Sequence, residues 1–157
     1  MIKYTSKQDS INNGIVKKNG KIYKLSTLEI WYSKGYLDYE YSKYSAEERL
    51  ECGLKLALDY HIINRANLHS SHLINTKVDN NKSPQSVALM NAMNRFNKAI
   101  RSVPKEFWSV VRYVCIEDKE LIAPKHFSER QKSYFLYLHR IDLCRGLDRI
   151  IAGTPKG

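Results

Sequence analysis

The feature that most constrains the fold is a long segment with helical periodicity near the end of the sequence. Ser128 and Gln131 have the spacing of a capping box, in which two side chains satisfy the first backbone N–H groups of a helix. Apolar residues then recur every three or four positions up to Ile151, and Gly153 and Pro155 follow as helix-ending residues. A helix of this length, about 36 Å, needs neighbouring elements to bury its apolar face.

Four further segments carry helix-start signals. A capping box at Ser26 predicts a short helix ending at Gly35, and Asp38 is placed to cap a long helix over about residues 39–65. Pro84 and Pro104 each mark the first turn of another helix. The predicted inward-facing residues are Tyr41, Tyr44, Leu50, Leu54, Leu58 and Ile62 in the long helix, Val87, Met90, Met93, Phe96 and Ile100 after Pro84, and Phe107, Val110, Val111 and Val114 after Pro104.

The chain is long enough for a single domain with its own core. We predict a flexible arm over residues 1–13 and a small β-hairpin over 14–25, because two β-prone runs flank Asn19-Gly20, a dipeptide suited to a type I′ turn. N-terminal helices follow over 26–66, a polar loop over 67–83 and basic helices over 84–152. The predicted class of the 14–153 domain is therefore all-α, with about five helices.

The charge balance points to the kind of partner. Lys and Arg number 26 against 16 Asp and Glu, a formal net charge of +10, which favours a polyanion such as duplex DNA. The three cysteines lack a C-x-x-C pair and indicate reduced thiols. No apolar run reaches the ~18 residues of a membrane span, and the N-terminus lacks a signal-peptide pattern. We expect a cytoplasmic bacterial protein without a membrane partner, associated with the nucleoid if it binds DNA.

The last helices carry candidate DNA-binding residues. The short connection 122–127 predicts that the helix from Pro104 and the final helix form a helix-turn-helix-like pair, in which the first turns of the second helix enter the major groove. The alternative is that these are solvated charges, and Glu129 would repel phosphate. The predicted DNA-binding residues are Arg95, Lys98, Arg101, Lys105, Lys125, Arg130, Lys132, Ser133, Arg140 and Arg145.

The final helix has apolar residues on two faces. Leu136, Leu143, Cys144, Leu147, Ile150 and Ile151 share one arc at ~100° per residue, which we predict to be the core side. Tyr134, Leu138 and Ile141 lie roughly opposite. We expect this second face to be covered, either by another part of the chain or by a second copy in a homodimer.

Catalytic and metal-binding patterns are weak. His61, His69 and His72 lack the spacing of a zinc motif, and Glu47, Glu48 and Glu51 more plausibly balance lysines along one helix than bind metal. We predict no catalytic residue, no metal and no cofactor. A small metal-dependent nuclease is a distant third function.

Three stretches together resemble a family. They are WYSKGYLDYEYSKYSAEERL over residues 31–50, FWSVVRYVC over 107–115 and RIDLCRGLDRI over 140–150. Across about residues 28–151 the chain resembles the helical domain of unknown function at the C-terminus of alphaproteobacterial helix-turn-helix regulators. That domain is related to phage-type and gene-transfer-agent transcription activators. The resemblance implies a transcription-associated, DNA-binding role.

The sequence therefore predicts a DNA-binding transcriptional regulator that contacts duplex DNA through its basic C-terminal helices. The alternative is a protein-interaction module without enzymatic activity, for instance one that binds RNA polymerase subunits.

Overall fold

The protein is mostly helical, as the sequence predicts. The computed structural model describes residues 15–18, 21–70 and 84–154, with side chains described over 24–67 and 86–154. Its elements are β1 (Ile15–Lys18), β2 (Lys21–Lys24), α1 (Thr27–Ser33), α2 (Ala46–Ser70), α3 (Pro84–Ser102), α4 (Lys105–Val111), a π-helical turn (Arg112–Ile116) and α5 (Glu129–Gly153). The two strands pair antiparallel. The predicted arm, the turn at Asn19-Gly20 and most of the predicted 67–83 loop lie outside the described residues.

Capping boxes begin α1 and α5, as predicted. The Ser26 hydroxyl accepts from the Glu29 backbone N–H at 3.3 Å, and the Glu29 carboxylate accepts from the Ser26 N–H at 3.1 Å. Ser128 and Gln131 make the same reciprocal bonds at 3.2 and 2.8 Å. Gly35 adopts a φ of 79° just after α1, a conformation that glycine allows without strain.

The predicted start of α2 is wrong. Residues 38–45 form turns, and the helix begins at Ala46 rather than near residue 39. Ser45 caps it instead of Asp38, because Ser45 and Glu48 form a third capping box, with the Glu48 N–H donating to the Ser45 hydroxyl at 3.1 Å. The Ser-x-x-Glu spacing that identifies this start is visible in the sequence.

The predicted inward face of the long helix is confirmed at Leu50, but Tyr41 precedes α2 and is 81% exposed. Leu54 and Leu58 are exposed, while the buried face carries Leu56 together with Arg49 and Asp59. A hydropathy pattern assigns charged residues to the solvent side of a helix. Because α2 buries two charged residues on one face, the pattern predicts the wrong inward face.

Helix α3 packs through small residues instead of the predicted stripe. Ala92 and Ala99 are buried, whereas Val87, Met90, Met93 and Ile100 are exposed. Phe96, half-buried, is the one predicted stripe residue that packs against the core, and its ring lies 5.8 Å from that of Tyr60 and 6.3 Å from that of Trp108. Small side chains let α3 approach α2 closely.

Helix α4 packs against the second half of α5, and the π-helical turn packs against α1 and α2. The predicted inward residues Val110, Val111 and Val114 are buried, and Phe107 is half-buried. Gly146 of α5 is required at this contact, because a Cβ there would lie 2.5 Å from Val111 Cγ2. The predicted helix-turn-helix-like pair is not confirmed: residues 117–128 separate the π-helical turn from α5, a longer connection than the three or four residues of that motif.

A buried ion pair joins three parts of the core. Arg49 of α2 is 1% exposed, and its Nε donates to Asp148 Oδ1 of α5 at 2.8 Å. The Nη2 group donates to the other carboxylate oxygen at 3.4 Å, and Nη1 donates to the Leu37 carbonyl at 2.7 Å. All three guanidinium nitrogens therefore have acceptors, and the pair holds α2, α5 and the turn after α1 together.

Removing one partner of this pair should destabilise the fold much more than removing both. We expect Asp148→Ala to lower the free energy of unfolding by about 3–5 kcal/mol, because Arg49 would remain buried without its counter-charge. The double variant Arg49→Met/Asp148→Leu should recover most of that loss. Urea unfolding of the three chains measures the difference. A loss below about 1 kcal/mol in Asp148→Ala would show that the pair is not the buried link described here.

Candidate nucleic-acid interface

Helix α5 divides into a buried half and an exposed half. Its second half contains buried Leu143, Cys144, Gly146, Leu147 and Ile150. Residues 129–142, all of them described, include no buried residue. We call this segment, about 21 Å long, the projecting half. It extends α5 beyond the core.

Aromatic contacts hold the base of the projecting half. The Arg140 guanidinium lies 3.4 Å from the ring centre of Tyr36 and 6.0 Å from that of Trp31. A cation that lies over the face of an aromatic ring is attracted by the negative electrostatic potential of that face. Nearer the start of α5, the Phe135 ring lies 6.0 Å from Phe127 and 4.1 Å from His139. On the opposite side of the helix the side chains are more exposed, and Arg145 there contacts Tyr39.

That opposite side carries two arginines with aromatic and aliphatic residues between them. We call it the outward face, and its members lie within one arc at ~100° per residue. Tyr134 is 64% exposed, Tyr137 56% and Leu138 40%. The expectation that Tyr134 and Leu138 are covered by the chain itself is therefore wrong. The outward face consists of Arg130, Tyr134, Tyr137, Leu138, Ile141 and Arg145.

Of the predicted DNA-binding residues, Arg95 has a buried partner. Its Nε and Nη2 donate to the two carboxylate oxygens of Asp59 at 3.0 and 2.8 Å. Asp59 is 2% exposed. These hydrogen bonds raise the pKa of Arg95 and balance its charge. Arg95 is thus less suited to phosphate binding than its position in the sequence indicates.

The other predicted DNA-binding residues differ in whether they contact another side chain of the protein. Within the described chain, Lys98, Arg101, Lys105, Lys125 and Arg130 form no ion pair within 4.0 Å, and all five are exposed. Ser133 is also exposed. Lys132 lies 3.5 Å from Glu129, Arg145 donates to the Tyr39 hydroxyl at 3.3 Å, and Arg140 is stacked on Tyr36.

The free cations occupy two areas. Ser102 at the end of α3 lies against Gly153, so Arg101 is close to the C-terminal end of α5. Arg130 stands near the N-terminal end, about 35 Å away at ~1.5 Å per residue. The structure therefore groups Lys125, Arg130, Lys132 and Ser133 at one end of α5 and Lys98, Arg101 and Lys105 towards the other. Sequence reasoning missed Tyr137, which its spacing of three from Tyr134 places on the same face.

Candidate catalytic groups are not brought together. In the part of the chain that the structure describes, no three His, Cys, Asp or Glu side chains form a group able to hold a metal ion. The side chains of His69 and His72 lie outside that part. Burial raises the pKa of Cys52 to about 12 and that of Cys144 to about 11, and it also raises the pKa of Cys115. None of the described helices is long and apolar enough to cross a membrane.

Comparison with protein-family models, with curated proteins and with solved structures found no match for this chain.

The buried thiols should resist modification in the folded protein. At pH 8 we expect a disulfide-exchange dye to label Cys115 and Cys144 at least about a hundredfold more slowly in the native chain than in the urea-unfolded chain, because both side chains are buried and only the thiolate reacts. Kinetics followed by absorbance measure both rates. Rates within tenfold of each other would contradict the burial of these residues.

The outward face should tolerate a charge that the core face does not. We expect Leu138→Asp to lower the free energy of unfolding by less than about 1 kcal/mol, since the residue is 40% exposed and a carboxylate there can reach solvent. Leu143→Asp, five residues along the same helix, should cost more than about 4 kcal/mol because its carboxylate would be buried without a partner. Circular dichroism during thermal unfolding compares the two variants. Equal losses would mean that the projecting half is covered in solution.

Proposed function

We propose that the protein is a DNA-binding transcriptional regulator that contacts duplex DNA through the projecting half of α5. The observation that carries the proposal is the exposed side of residues 129–142, where the exposed Arg130 stands beside the solvent-exposed Tyr134 and Tyr137. A helix that continues for about 21 Å beyond the core can enter a groove without bringing the rest of the domain against the backbone.

Each type of side chain in this half has a chemical role at DNA. Arg130, and Lys125 just before this half, are exposed and unpaired among the described residues, so their charge is available to phosphates or to the guanine edge. Tyr134 and Ser133 carry hydroxyls that bond to phosphate oxygens. Glu129 is 95% exposed, and its 3.5 Å contact with Lys132 partly compensates its repulsion of phosphate.

The second basic area supports the same partner. Arg101, beside the C-terminal end of α5, stands about 35 Å from Arg130, a separation close to one turn of duplex DNA. In this proposal one duplex contacts both basic areas. The resemblance to helical domains of bacterial regulators agrees with this role and suggests transcription as its setting.

A protein partner is the second candidate, because Tyr134, Tyr137 and Leu138 leave an apolar surface in solvent. Tyrosine and arginine are common in the energetically important centres of protein interfaces. An RNA polymerase subunit or a second copy of the chain would meet this surface through Leu138 rather than through the cations. The two functions therefore depend on different residues of one helix.

Removing two cations from the projecting half tests the DNA proposal. We expect wild-type affinity for a 20-base-pair duplex to fall about a hundredfold or more between 50 and 200 mM salt, because bound phosphates release counterions. Arg130→Ala/Lys132→Ala should bind about tenfold more weakly at 100 mM salt, with a logarithmic salt slope smaller by about 2. Fluorescence anisotropy measures both quantities.

The matched control is Lys43→Ala/Arg65→Ala, which removes one lysine and one arginine from exposed positions outside both basic areas. It should retain affinity within about threefold of wild type. If the folded Arg130→Ala/Lys132→Ala chain binds DNA as well as this control does, the projecting half is not the DNA contact. Wild-type binding that is undetectable at 50 mM salt would exclude DNA as the partner.

A further inference from the structure

A cleft lies between α2, α3 and the C-terminal end of α5. Its volume is about 430 Å³, within the range of sites that hold small organic ligands. Leu56, Ala99 and Ile150 form an apolar floor, and Cys52 lies beside them. The cleft is separate from the projecting half, since none of its lining residues precedes Ile150 on α5.

One wall of the cleft holds an arginine whose orientation is fixed from behind. Asp59, itself 2% exposed, accepts hydrogen bonds from Arg95 Nε and Nη2. Arg95 remains 45% exposed and lines the cleft. Its Nη1 group and the second Nη2 hydrogen make no hydrogen bond within the described residues. A guanidinium held along one edge presents its other edge as a preformed donor pair, which suits a carboxylate or a similar planar anion.

The remaining charges of the cleft divide between its walls. Lys98 stands one turn from Arg95 on α3, so that wall is cationic. The α2 wall carries Lys55, Glu48 and Glu51. Glu48 is bound to the Ser45 cap, and Glu51 is one turn from Lys55. Asp59 compensates the charge of Arg95, so the positive charge of the α3 wall that has no ion pair among the described residues is that of Lys98.

We infer that this cleft binds a small amphipathic organic anion, with its apolar body on the floor formed by Leu56, Ala99 and Ile150 and its acidic group on Arg95 and Lys98. The buried Asp59 acts as the positioning residue for Arg95. This role also explains why α2 buries a carboxylate where an apolar residue would pack as well. The inference does not depend on DNA binding.

Two fluorescent probes that share their rings and differ in charge test the inference on the full chain. One is 8-anilinonaphthalene-1-sulfonate, and the other is the uncharged N-phenyl-1-naphthylamine. We expect the sulfonate to bind at one saturable site at least about tenfold more tightly than the neutral probe, because only the sulfonate bonds to Arg95 and Lys98. Decanoate should displace the sulfonate at concentrations where decan-1-ol does not.

Variants locate the site. Lys98→Ala should weaken binding of the sulfonate about tenfold without changing that of the neutral probe, and Lys119→Ala, an exposed lysine outside the cleft, should change neither. The pair Asp59→Leu/Arg95→Met removes both partners, so neither is left buried alone, and should abolish the preference for the sulfonate. Leu138→Ser should leave both probes unchanged.

Equal affinity for the two probes, or equal effects of Lys98→Ala and Lys119→Ala, would overturn the inference. Loss of sulfonate binding in Leu138→Ser would place the probe on the outward face of α5 and would also contradict binding in the cleft.

Discussion

The buried pair of Arg49 and Asp148 fixes the position of α5, and the other features follow from that position. The Arg49 side chain is 1% exposed and that of Asp148 16%, and a pair so largely removed from water adds little net stability compared with apolar residues of the same size. The contribution of the pair is to fix how the elements are placed relative to one another. Arg49 also binds the Leu37 carbonyl, so α2, α5 and the turn after α1 meet at one guanidinium. With its second half held there, α5 leaves residues 129–142 beyond the core.

Two of the three stretches that carry the family resemblance meet at this pair. Arg49 ends the Tyr-x-Ala-x-Glu-Arg run, and Asp148 lies in Leu-Asp-Arg-Ile. The same run contains Ser45 and Glu48, whose capping box begins α2. Residues that look like a functional motif in the sequence are thus the ones that begin α2 and pair it with α5. The residues proposed to bind DNA lie elsewhere, on the outward face and at the end of α3.

The sequence predicted features that depend on neighbours in the chain. The capping boxes at Ser26 and Ser128, the buried valines after Pro104 and most of the core arc of α5 were correctly predicted, because each rests on local spacing. The inward faces of α2 and α3 were not. Burial of Arg49 and Asp59 depends on partners 99 and 36 residues away in the sequence. The hydrophobic periodicity of a helix does not predict pairs at such a separation. For the same reason Arg95 was assigned to DNA, although Asp59 holds it at the cleft.

Hydrogen–deuterium exchange with and without a duplex tests most directly whether α5 is divided into a held half and a DNA-contacting half. In the free protein, the amides of residues 143–150 should exchange far more slowly than those of 132–141, because only the former lie in the buried part of the helix. Added DNA should slow exchange within 129–142 and leave 143–150 and α2 unchanged. Protection that appears along α2 instead, or uniform exchange along α5 in the free protein, would contradict this account.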